Sequence, residues 1–188
     1  MMSNYRAVII GGSAGSFQVI TRILSSLPMN YSLPVFLCLH RLKHVRSGFV
    51  EALSIKSKLP VVEPDDKDAI KPGIIYLAPA NYHMHIELGN RFSLSTEEPV
   101  NHSRPSIDLS FMSAAYNYKR KLVGIILSGA NRDGAVGLKK VKENGGLTIV
   151  QDPVESQVPT MPNACLQIMS VDYKYSTTEI IRFLNKIG

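Results

Sequence analysis

Five short apolar runs, each the length of a β-strand, recur along this chain with helical patterns between them. The runs cover 7–10, 34–39, 74–77, 122–127 and 147–150, and the predicted helices cover 16–26, 47–56, 106–118 and 135–144. Strands that alternate with helices form a mainly parallel sheet, and runs that are apolar throughout are typical of strands covered on both faces. We therefore predict an α/β fold, a doubly wound three-layer sandwich that forms a single domain over residues 1–188.

The segment 82–95 breaks this pattern. Residues 82–88 and 91–95 alternate in character, and a Gly-Asn pair joins them. Alternation on both sides of such a pair is typical of two antiparallel strands linked by a tight turn. We predict that this hairpin is added to the parallel sheet.

Two histidines and two cysteines are candidate metal ligands or redox groups. His83 and His85 are alternate residues of one predicted strand and share a face. No third ligand accompanies them, so a structural or substrate-side role is favoured over a metal site. Cys38 in an apolar strand and Cys165 in a predicted helix lack the spacing of paired ligands. We expect both cysteines to be core residues, and we expect neither a metal nor an organic cofactor.

The net charge of +6 is concentrated near the start of the chain, because residues 1–60 hold seven Lys or Arg and a single Glu. Arg41, Lys43, His44 and Arg46 follow the second apolar run as a basic cluster. Such a cluster is either a solvated loop or a docking surface for an acidic partner. It contains no interleaved aromatic residues and no recognised binding motif, so we do not expect nucleic acid as the partner.

The apolar segments are too short to cross a membrane or to act as a secretion signal. No run of 18 apolar residues occurs in the sequence, and residues 1–6 lead directly into the first predicted strand. A membrane-spanning helix and a secretory leader both require a longer apolar region. We therefore expect a cytoplasmic protein without membrane insertion.

The first predicted strand is followed directly by Gly-Gly-Ser-Ala-Gly at 11–15. A Gly-x-Ser-x-Gly turn between a strand and a helix exposes the serine hydroxyl, and the first N–H groups of the helix can bind an oxyanion. Ser13 is therefore a candidate nucleophile, although glycine-rich turns of this kind also bind phosphate. A dinucleotide fingerprint would need glycine at Ser13 and Ser16 and an acidic residue about 20 positions further on. The first acidic residue is Glu51, which argues against that class of site.

Three polar residues follow the carboxyl ends of different predicted strands. Ser13, His40 and Asp133 stand at or just beyond these ends, where doubly wound sheets form their functional crevice. A serine, a histidine and an aspartate are the nucleophile, the base and the group that orients the base in a catalytic triad. Separately, they could be a helix cap, a core histidine and a second helix cap. The chain order Ser, His, Asp also differs from the order Ser, Asp, His of α/β-hydrolases.

Several short motifs follow one another in order along the chain. They are Gly-Gly-Ser-Ala-Gly at 11–15, Leu-His at 39–40, Ala-Pro-Ala-Asn-Tyr-His at 78–83, Arg-Pro-Ser-Ile-Asp at 104–108, Leu-Ser-Gly at 127–129, Asp-Gly-Ala at 133–135, Gln-Asp-Pro at 151–153 and Met-Pro at 161–162. Together they resemble the catalytic domain of CheB-type chemoreceptor protein-glutamate methylesterases. The resemblance extends from about Tyr5 to Ile187.

This resemblance implies a function and a role for each site residue. Ser13 would be the nucleophile, His40 the base and Asp133 the residue that orients the base. Backbone N–H groups near Ala14 and Ala130 would bind the oxyanion, and the resemblance places Arg41, with the basic cluster, on the substrate side. The implied substrates are γ-methyl esters of glutamate on the acidic cytoplasmic helices of chemoreceptors, and glutamine amides at the same sites.

The sequence departs from this family beside the site. The family usually has Thr where Ala14 stands and Gly-Met-Gly over 129–131, where this chain has Gly-Ala-Asn. These differences would change the shape of the oxyanion site, and they leave open a receptor-binding module of the same fold with little or no activity. Many relatives carry a phospho-accepting receiver domain before the catalytic domain. Because the first strand begins a few residues after Met1, we expect no such domain here.

Overall fold

The computed structural model describes residues 4–40 and 48–188, which are built around a parallel β-sheet. The strands are β1 (Ala7–Gly12), β2 (Val35–Leu39), β3 (Val61–Val62), β4 (Ile75–Leu77), β5 (His83–Glu87), β6 (Arg91–Ser95), β7 (Leu122–Ile126), β8 (Leu147–Gln151) and β9 (Tyr173–Tyr175). All except β5 and β6 pair in parallel, in the order β3-β4-β2-β1-β7-β8-β9. The chain starts at the central strand β1, forms one half of the sheet and then forms the other half, as in a doubly wound sheet. The predicted fold class is confirmed.

Helices cover both faces of this sheet. They are α1 (Phe17–Ser26), α2 (Phe49–Ser54), α3 (Ile107–Tyr118), α4 (Ala135–Glu143), α5 (Thr160–Ile168) and α6 (Thr177–Ile187). Val8 and Ile10 of β1 pack in a core cluster with α1, α2 and α6, whereas Ala7 and Ile9 pack in a second cluster with α3, α4 and α5. Both faces of β1 are buried, which explains why its sequence is apolar throughout. No described helix combines the length and the apolar character that crossing a bilayer requires.

The helices lie close to their predicted bounds. Ser106 caps α3 by accepting a hydrogen bond from Leu109 N, and the helix predicted around Cys165 is α5. Helix α6 and the short edge strands β3 and β9 were not predicted from the sequence. Helix α6 does have a local start signal, since Ser176 and Glu179 form a capping box.

The predicted hairpin is present, but the prediction that it is added to the parallel sheet is wrong. Strands β5 and β6 form a separate antiparallel pair. The β5 side is bonded to α3, because Ser110 Oγ donates to Met84 O at 2.8 Å and Ile86 N donates to Ser113 Oγ at 3.0 Å. The β6 side is bonded to segment 67–70 through backbone hydrogen bonds of Phe92 and neighbouring residues. Both edges of the hairpin are therefore occupied by segments other than the parallel sheet.

Candidate active site

The candidate nucleophile lies where three strands end side by side. Gly12, the last residue of β1, pairs with Leu39 of β2, and His40 N donates to Gly12 O at 3.2 Å. On the other side, Ser13 N donates to Ser128 O at 2.9 Å. Ser13 therefore lies between His40 and the loop that follows β7, at the carboxyl edge of the sheet.

The turn after β1 is held by short local contacts. Ser16 N and Ser16 Oγ donate to Ser13 O at 3.1 and 2.7 Å. Gly15 has φ +80, and a Cβ there would lie 2.7 Å from both Ser128 Oγ and Gln157 Cβ. A glycine is therefore required at this position for backbone conformation and for space. Ser13 itself is half-buried.

His40 and Asp133 form a direct pair. His40 Nε2 lies 2.7 Å from Asp133 Oδ2, and the two side chains are 13% and 0% exposed. Because a carboxylate only accepts hydrogen bonds, this contact places a proton on Nε2 and leaves Nδ1 as the unprotonated, basic nitrogen of the neutral ring. No hydrogen bond joins Ser13 Oγ to His40 among the described residues.

The carboxylate of Asp133 is surrounded by hydrogen-bond donors from the start of α3. Ile107 N donates to Oδ2 at 2.7 Å, while Asp108 N and Ser106 Oγ each donate to Oδ1 at 3.1 Å. Burial alone would raise the pKa of Asp133, but the hydrogen bonds from His40 and from these backbone N–H groups outweigh burial and hold the pKa below its usual value. Asp133 is therefore a charged carboxylate that can stabilise a positively charged imidazole.

The alternative in which Asp133 caps the helix that follows it does not match these contacts. Helix α4 begins after Gly134, and the carboxylate that accepts from Gly134 N and Gly137 N at its start belongs to Asp108, not to Asp133. Instead, Asp133 lies at the N-terminus of α3, a different helix, where the helix dipole favours a negative charge. A role at the start of α3 does not by itself account for the contact between Asp133 and His40.

Comparisons with known proteins identify the family to which this chain belongs. A family model described as CheB methylesterase matches residues 8–184. The chain belongs to this CheB family. The crystal structure of the Thermotoga maritima CheB methylesterase catalytic domain superimposes with a TM-score of 0.92 at 30% identity, covering 98% of this chain and 99% of that one.

Two relatives show how much of a CheB protein this chain spans. A Leptospira interrogans protein, provisionally named a protein-glutamate methylesterase/protein-glutamine glutaminase, is 43% identical over 94% of this chain and 92% of its own length. A Methanospirillum hungatei protein-glutamate methylesterase/protein-glutamine glutaminase is 36% identical over 97% of this chain but 52% of its own length. This chain therefore spans nearly the whole of one relative and about half of the other.

Asn131, at one of the positions where this chain departs from the CheB pattern, contacts both members of the pair. Asn131 Oδ1 accepts from Asp133 N at 3.1 Å, which directs Nδ2 toward His40 Nδ1 at 3.4 Å. An amide nitrogen can only donate, so this contact favours an unprotonated Nδ1. The sequence indicated Asn131 only as a departure and carried no signal for this contact.

Asp108 is a second residue whose position the sequence did not reveal. Its Oδ1 accepts from Gly134 N at 2.9 Å and from Gly137 N at 2.7 Å, at the start of α4. Asn101 Nδ2 lies 3.2 Å from Asp108 Oδ2 and 3.4 Å from Asp133 Oδ1, so it bridges the two carboxyl groups. Burial, together with the nearby charge of Asp133, raises the pKa of Asp108 to about 6 despite the backbone hydrogen bonds. The Arg-Pro-Ser-Ile-Asp motif was the available signal, but it indicated no role.

The structure describes the two predicted oxyanion residues but not the predicted substrate-side residue. Ala14 and Ala130 lie in the loops after β1 and β7, and within the described ranges their N–H groups donate to no protein acceptor. Ala130 is exposed. Arg41 lies outside the described residues, as do Lys43, His44 and Arg46 of the basic cluster.

The two hairpin histidines have different surroundings. His83 is buried, its Nδ1 accepts from Ser106 N at 3.2 Å, and its Nε2 lies 3.1 Å from Glu98 O. With both ring nitrogens engaged, His83 links β5 to the start of α3. His85 is half-buried, and desolvation followed by the neighbouring His83 lowers its pKa. Within 4–40 and 48–188, no three His, Cys, Asp or Glu side chains form a cluster that could hold a metal ion.

A groove of about 830 Å³ adjoins the pair of His40 and Asp133. Its lining includes Asn101, Asn131, Arg132, Val136, Asn163 and Ile168. Asn131 contacts His40 and Asn101 contacts Asp133, so one wall of the groove is continuous with the candidate site. The amide, apolar and cationic lining suits a polypeptide surface that carries both acidic and apolar side chains.

Proposed function

We propose that this chain is a serine hydrolase that demethylates glutamate γ-methyl esters on the cytoplasmic helices of chemoreceptors and releases methanol. At the same sites it would convert glutamine amides to glutamates. The observation that carries this proposal is the 2.7 Å contact between His40 Nε2 and Asp133 Oδ2 at the sheet edge that also carries Ser13. The names of the CheB relatives, which pair methylesterase with glutaminase activity, support the substrate class.

In the proposed reaction, His40 acts through Nδ1. Asp133 accepts a hydrogen bond from Nε2–H and keeps the imidazole in the tautomer whose Nδ1 is basic. As Ser13 Oγ attacks the ester carbonyl, its proton passes to Nδ1 and then to the methoxide, which leaves as methanol. Water then attacks the acyl-enzyme with Nδ1 as general base again, which restores Ser13 and releases the glutamate. Ser13 Oγ must turn toward His40 on substrate binding, a change that is common for catalytic hydrogen bonds that are loose without substrate.

The oxyanion of this reaction needs hydrogen-bond donors beside Ser13. The N–H groups of Ala14 and Ala130 are the proposed donors, because they are free of protein acceptors within the described ranges. Backbone donors survive the side-chain departures from the CheB pattern at these positions. Each donor of this kind contributes about 3 kcal/mol to the stabilisation of the transition state.

The proposed partner is an acidic receptor helix. Demethylation or deamidation restores a negative glutamate on that helix, so the reaction changes receptor signalling through charge. The basic cluster of 41–46 supplies positive charge on the proposed substrate side. The exposed Arg132 supplies a further positive charge in the groove beside the site.

The test is methanol release from a methylated receptor fragment, together with ammonia release from the corresponding glutamine form. Replacing Ser13 by Ala should lower both rates by about a thousandfold or more without unfolding the protein. The matched control is Ser25→Ala, since Ser25 Oγ is exposed and donates only to Arg22 O within its own helix. A folded wild-type protein that releases neither product would instead identify a binding module without activity.

A further inference from the structure

Ser128, the second residue after β7, uses all of its polar groups. Its N donates to Gln151 Oε1 at 2.9 Å, and its O accepts from Ser13 N at 2.9 Å. Its Oγ accepts from Val158 N at 2.9 Å, and it donates to Ala14 O at 2.8 Å, with Val158 O as a second, more distant acceptor at 3.1 Å. The residue is completely buried, so none of these partners can be replaced by bulk water.

Residues 13–15 form the nucleophile turn, and these contacts hold it on both sides of one peptide unit. The bond to Ser13 N fixes the peptide unit before Ser13, and the bond to Ala14 O fixes the unit between Ala14 and Gly15. The unit between them carries the Ala14 N–H, and Ser16 fixes it through Ser13 O. The direction of a backbone N–H follows from the plane of its peptide unit. Ser128 and Ser16 therefore determine where the Ala14 N–H points.

The same hydroxyl joins the turn to the loop after β8. Val158 N donates to Ser128 Oγ, and Gly129 N donates to Val158 O at 3.0 Å. Gln157 of this loop lies against Gly15, where a Cβ would be 2.7 Å from Gln157 Cβ. The loop therefore forms one wall of the nucleophile turn, and Ser128 Oγ is the hydrogen-bonded link between the wall and the turn.

We propose that Ser128 is a positioning residue that holds Ser13 and the Ala14 N–H in the geometry needed for attack. The proposal rests on the proposed function, because it assigns Ser13 as the nucleophile. The Ser128 hydroxyl contacts neither substrate nor reacting atoms, and it acts through the backbone of 13–15. Removing it leaves Ala14 O and Val158 N without their side-chain partner, and the turn shifts to find new ones.

The expected effect falls on the chemical step rather than on substrate binding. A displacement of about 1 Å at reacting groups lowers a rate by on the order of a hundredfold. Ser128→Ala should therefore lower kcat by about 10- to 100-fold and change KM by less than about twofold. Ser128→Thr keeps Oγ and should restore at least half of the wild-type kcat.

The matched control removes a buried hydroxyl from the loop after β8, the loop that Ser128 joins to the nucleophile turn. Ser156 Oγ donates to Asp152 O at 3.1 Å and makes no bond to the nucleophile turn. Ser156→Ala should leave kcat within about twofold of wild type, even if its melting temperature falls as much as that of Ser128→Ala. Equal losses of kcat in Ser156→Ala and Ser128→Ala would overturn the proposal, since loop stability alone would then explain them.

A second measurement separates this proposal from the proposed function. A small fluorophosphonate labels an activated serine without a receptor substrate, so its rate of reaction with Ser13 reports the geometry of the turn alone. Ser128→Ala should be labelled at least tenfold more slowly than wild type and Ser156→Ala, and equal labelling rates would overturn the proposal. A wild-type protein that is labelled at Ser13 but releases no methanol would reject the substrate and leave the role of Ser128 to be decided by labelling.

If Ser128→Ala does not fold, Ser128→Cys takes its place in both measurements. A thiol is a weaker hydrogen-bond donor and acceptor than a hydroxyl, so kcat and the labelling rate should lie clearly below those of Ser128→Thr. Rates of the folded Cys variant equal to wild type would overturn the proposal.

Discussion

At the scale of single residues, the candidate site contains two neighbouring carboxyl groups, Asp133 and Asp108, that have different roles. Asp133 accepts a hydrogen bond from His40 Nε2–H, and donors at the start of α3 keep its carboxylate charged. Asp108, linked to it through Asn101, holds the start of α4 and has a pKa raised to about 6. Opposite shifts for adjacent groups are common at functional sites, and each shift leads to a prediction.

Replacing Asp133 by Asn should lower kcat by about three to four orders of magnitude, because an amide would favour the wrong tautomer of His40. KM should change little, since Asp133 is buried beneath His40 and is not exposed to substrate. The measurement is methanol release at saturating substrate, with Asp65→Asn at an exposed position as the control. Unchanged turnover in a folded Asp133→Asn variant would mean that the carboxylate serves only the start of α3.

Replacing Asp108 by Asn should flatten the pH dependence of stability between about pH 4.5 and 6.5. With a folded pKa of about 6 against an ordinary value of 3.8, the folded protein holds a proton that the unfolded chain releases. The contribution of Asp108 to the free energy of unfolding should therefore fall as the pH rises through this range. The Asn variant cannot titrate there, and it keeps an acceptor for Gly134 N and Gly137 N.

Urea unfolding at several pH values measures this effect, with Asp65→Asn as the variant that should keep the wild-type slope. The depressed pKa of Asp133 has the opposite sign, since its contribution is lost only as the pH falls through its folded pKa. The chosen range lies above that region. Parallel stability curves for wild type and Asp108→Asn would contradict the prediction.

At the scale of elements, the strand-to-helix turn between β1 and α1 carries the site. The turn is recognisable in the sequence because its glycines serve the backbone locally: Gly15 has φ +80, a conformation that other residues adopt at a cost. Besides the local bonds from Ser16 to Ser13 O, the turn is held by contacts from the loops after β7 and β8, and no local pattern marks these distant contacts. Ser128 was part of a motif, but its bonds to Ala14 and Val158 join residues 114 and 30 positions away.

Replacing Gly15 by Ala should destabilise the protein more than the same change at Gly89. Both residues have positive φ, but a Cβ at Gly89 meets nothing within 4 Å, whereas one at Gly15 meets Ser128 Oγ at 2.7 Å. Backbone strain costs about 1–2 kcal/mol at either site, and overpacking adds about 1–3 kcal/mol at Gly15. Chemical unfolding measures the difference, and methanol release should fall at least tenfold for Gly15→Ala alone. Equal losses of stability would show that the nucleophile turn has room to relax.

At the scale of the whole molecule, charge is distributed unevenly along the chain. The net charge is +6, and residues 1–60 contribute much of the excess of basic residues. Exposed charges attract an acidic receptor helix over roughly a Debye length, about 10 Å at 0.1 M salt. Such charges mainly raise the rate of encounter, and they have little effect on the chemical step.

Reversing Arg41, Lys43 and Arg46 to Glu should therefore lower kcat/KM on a methylated receptor fragment, and most strongly at low salt. Turnover at saturation and hydrolysis of a small neutral ester should remain near wild type. The control is a triple reversal of Lys119, Arg120 and Lys121 in the turn after α3. If the first variant processes the receptor fragment as well as wild type at low ionic strength, the cluster is an ordinary solvated loop.

The fold class and the candidate triad residues could both be predicted from the sequence, because each depends on local signals. Apolar runs reveal buried parallel strands, and a serine on a glycine turn, a histidine at a strand end and an aspartate before a helix each mark one strand edge. The separation of the hairpin from the sheet, and the positions of Asn131, Asp108 and Ser128 around the site, became visible only in the tertiary structure. These roles arise from hydrogen bonds between segments far apart in the chain, which exist only after helices and strands pack.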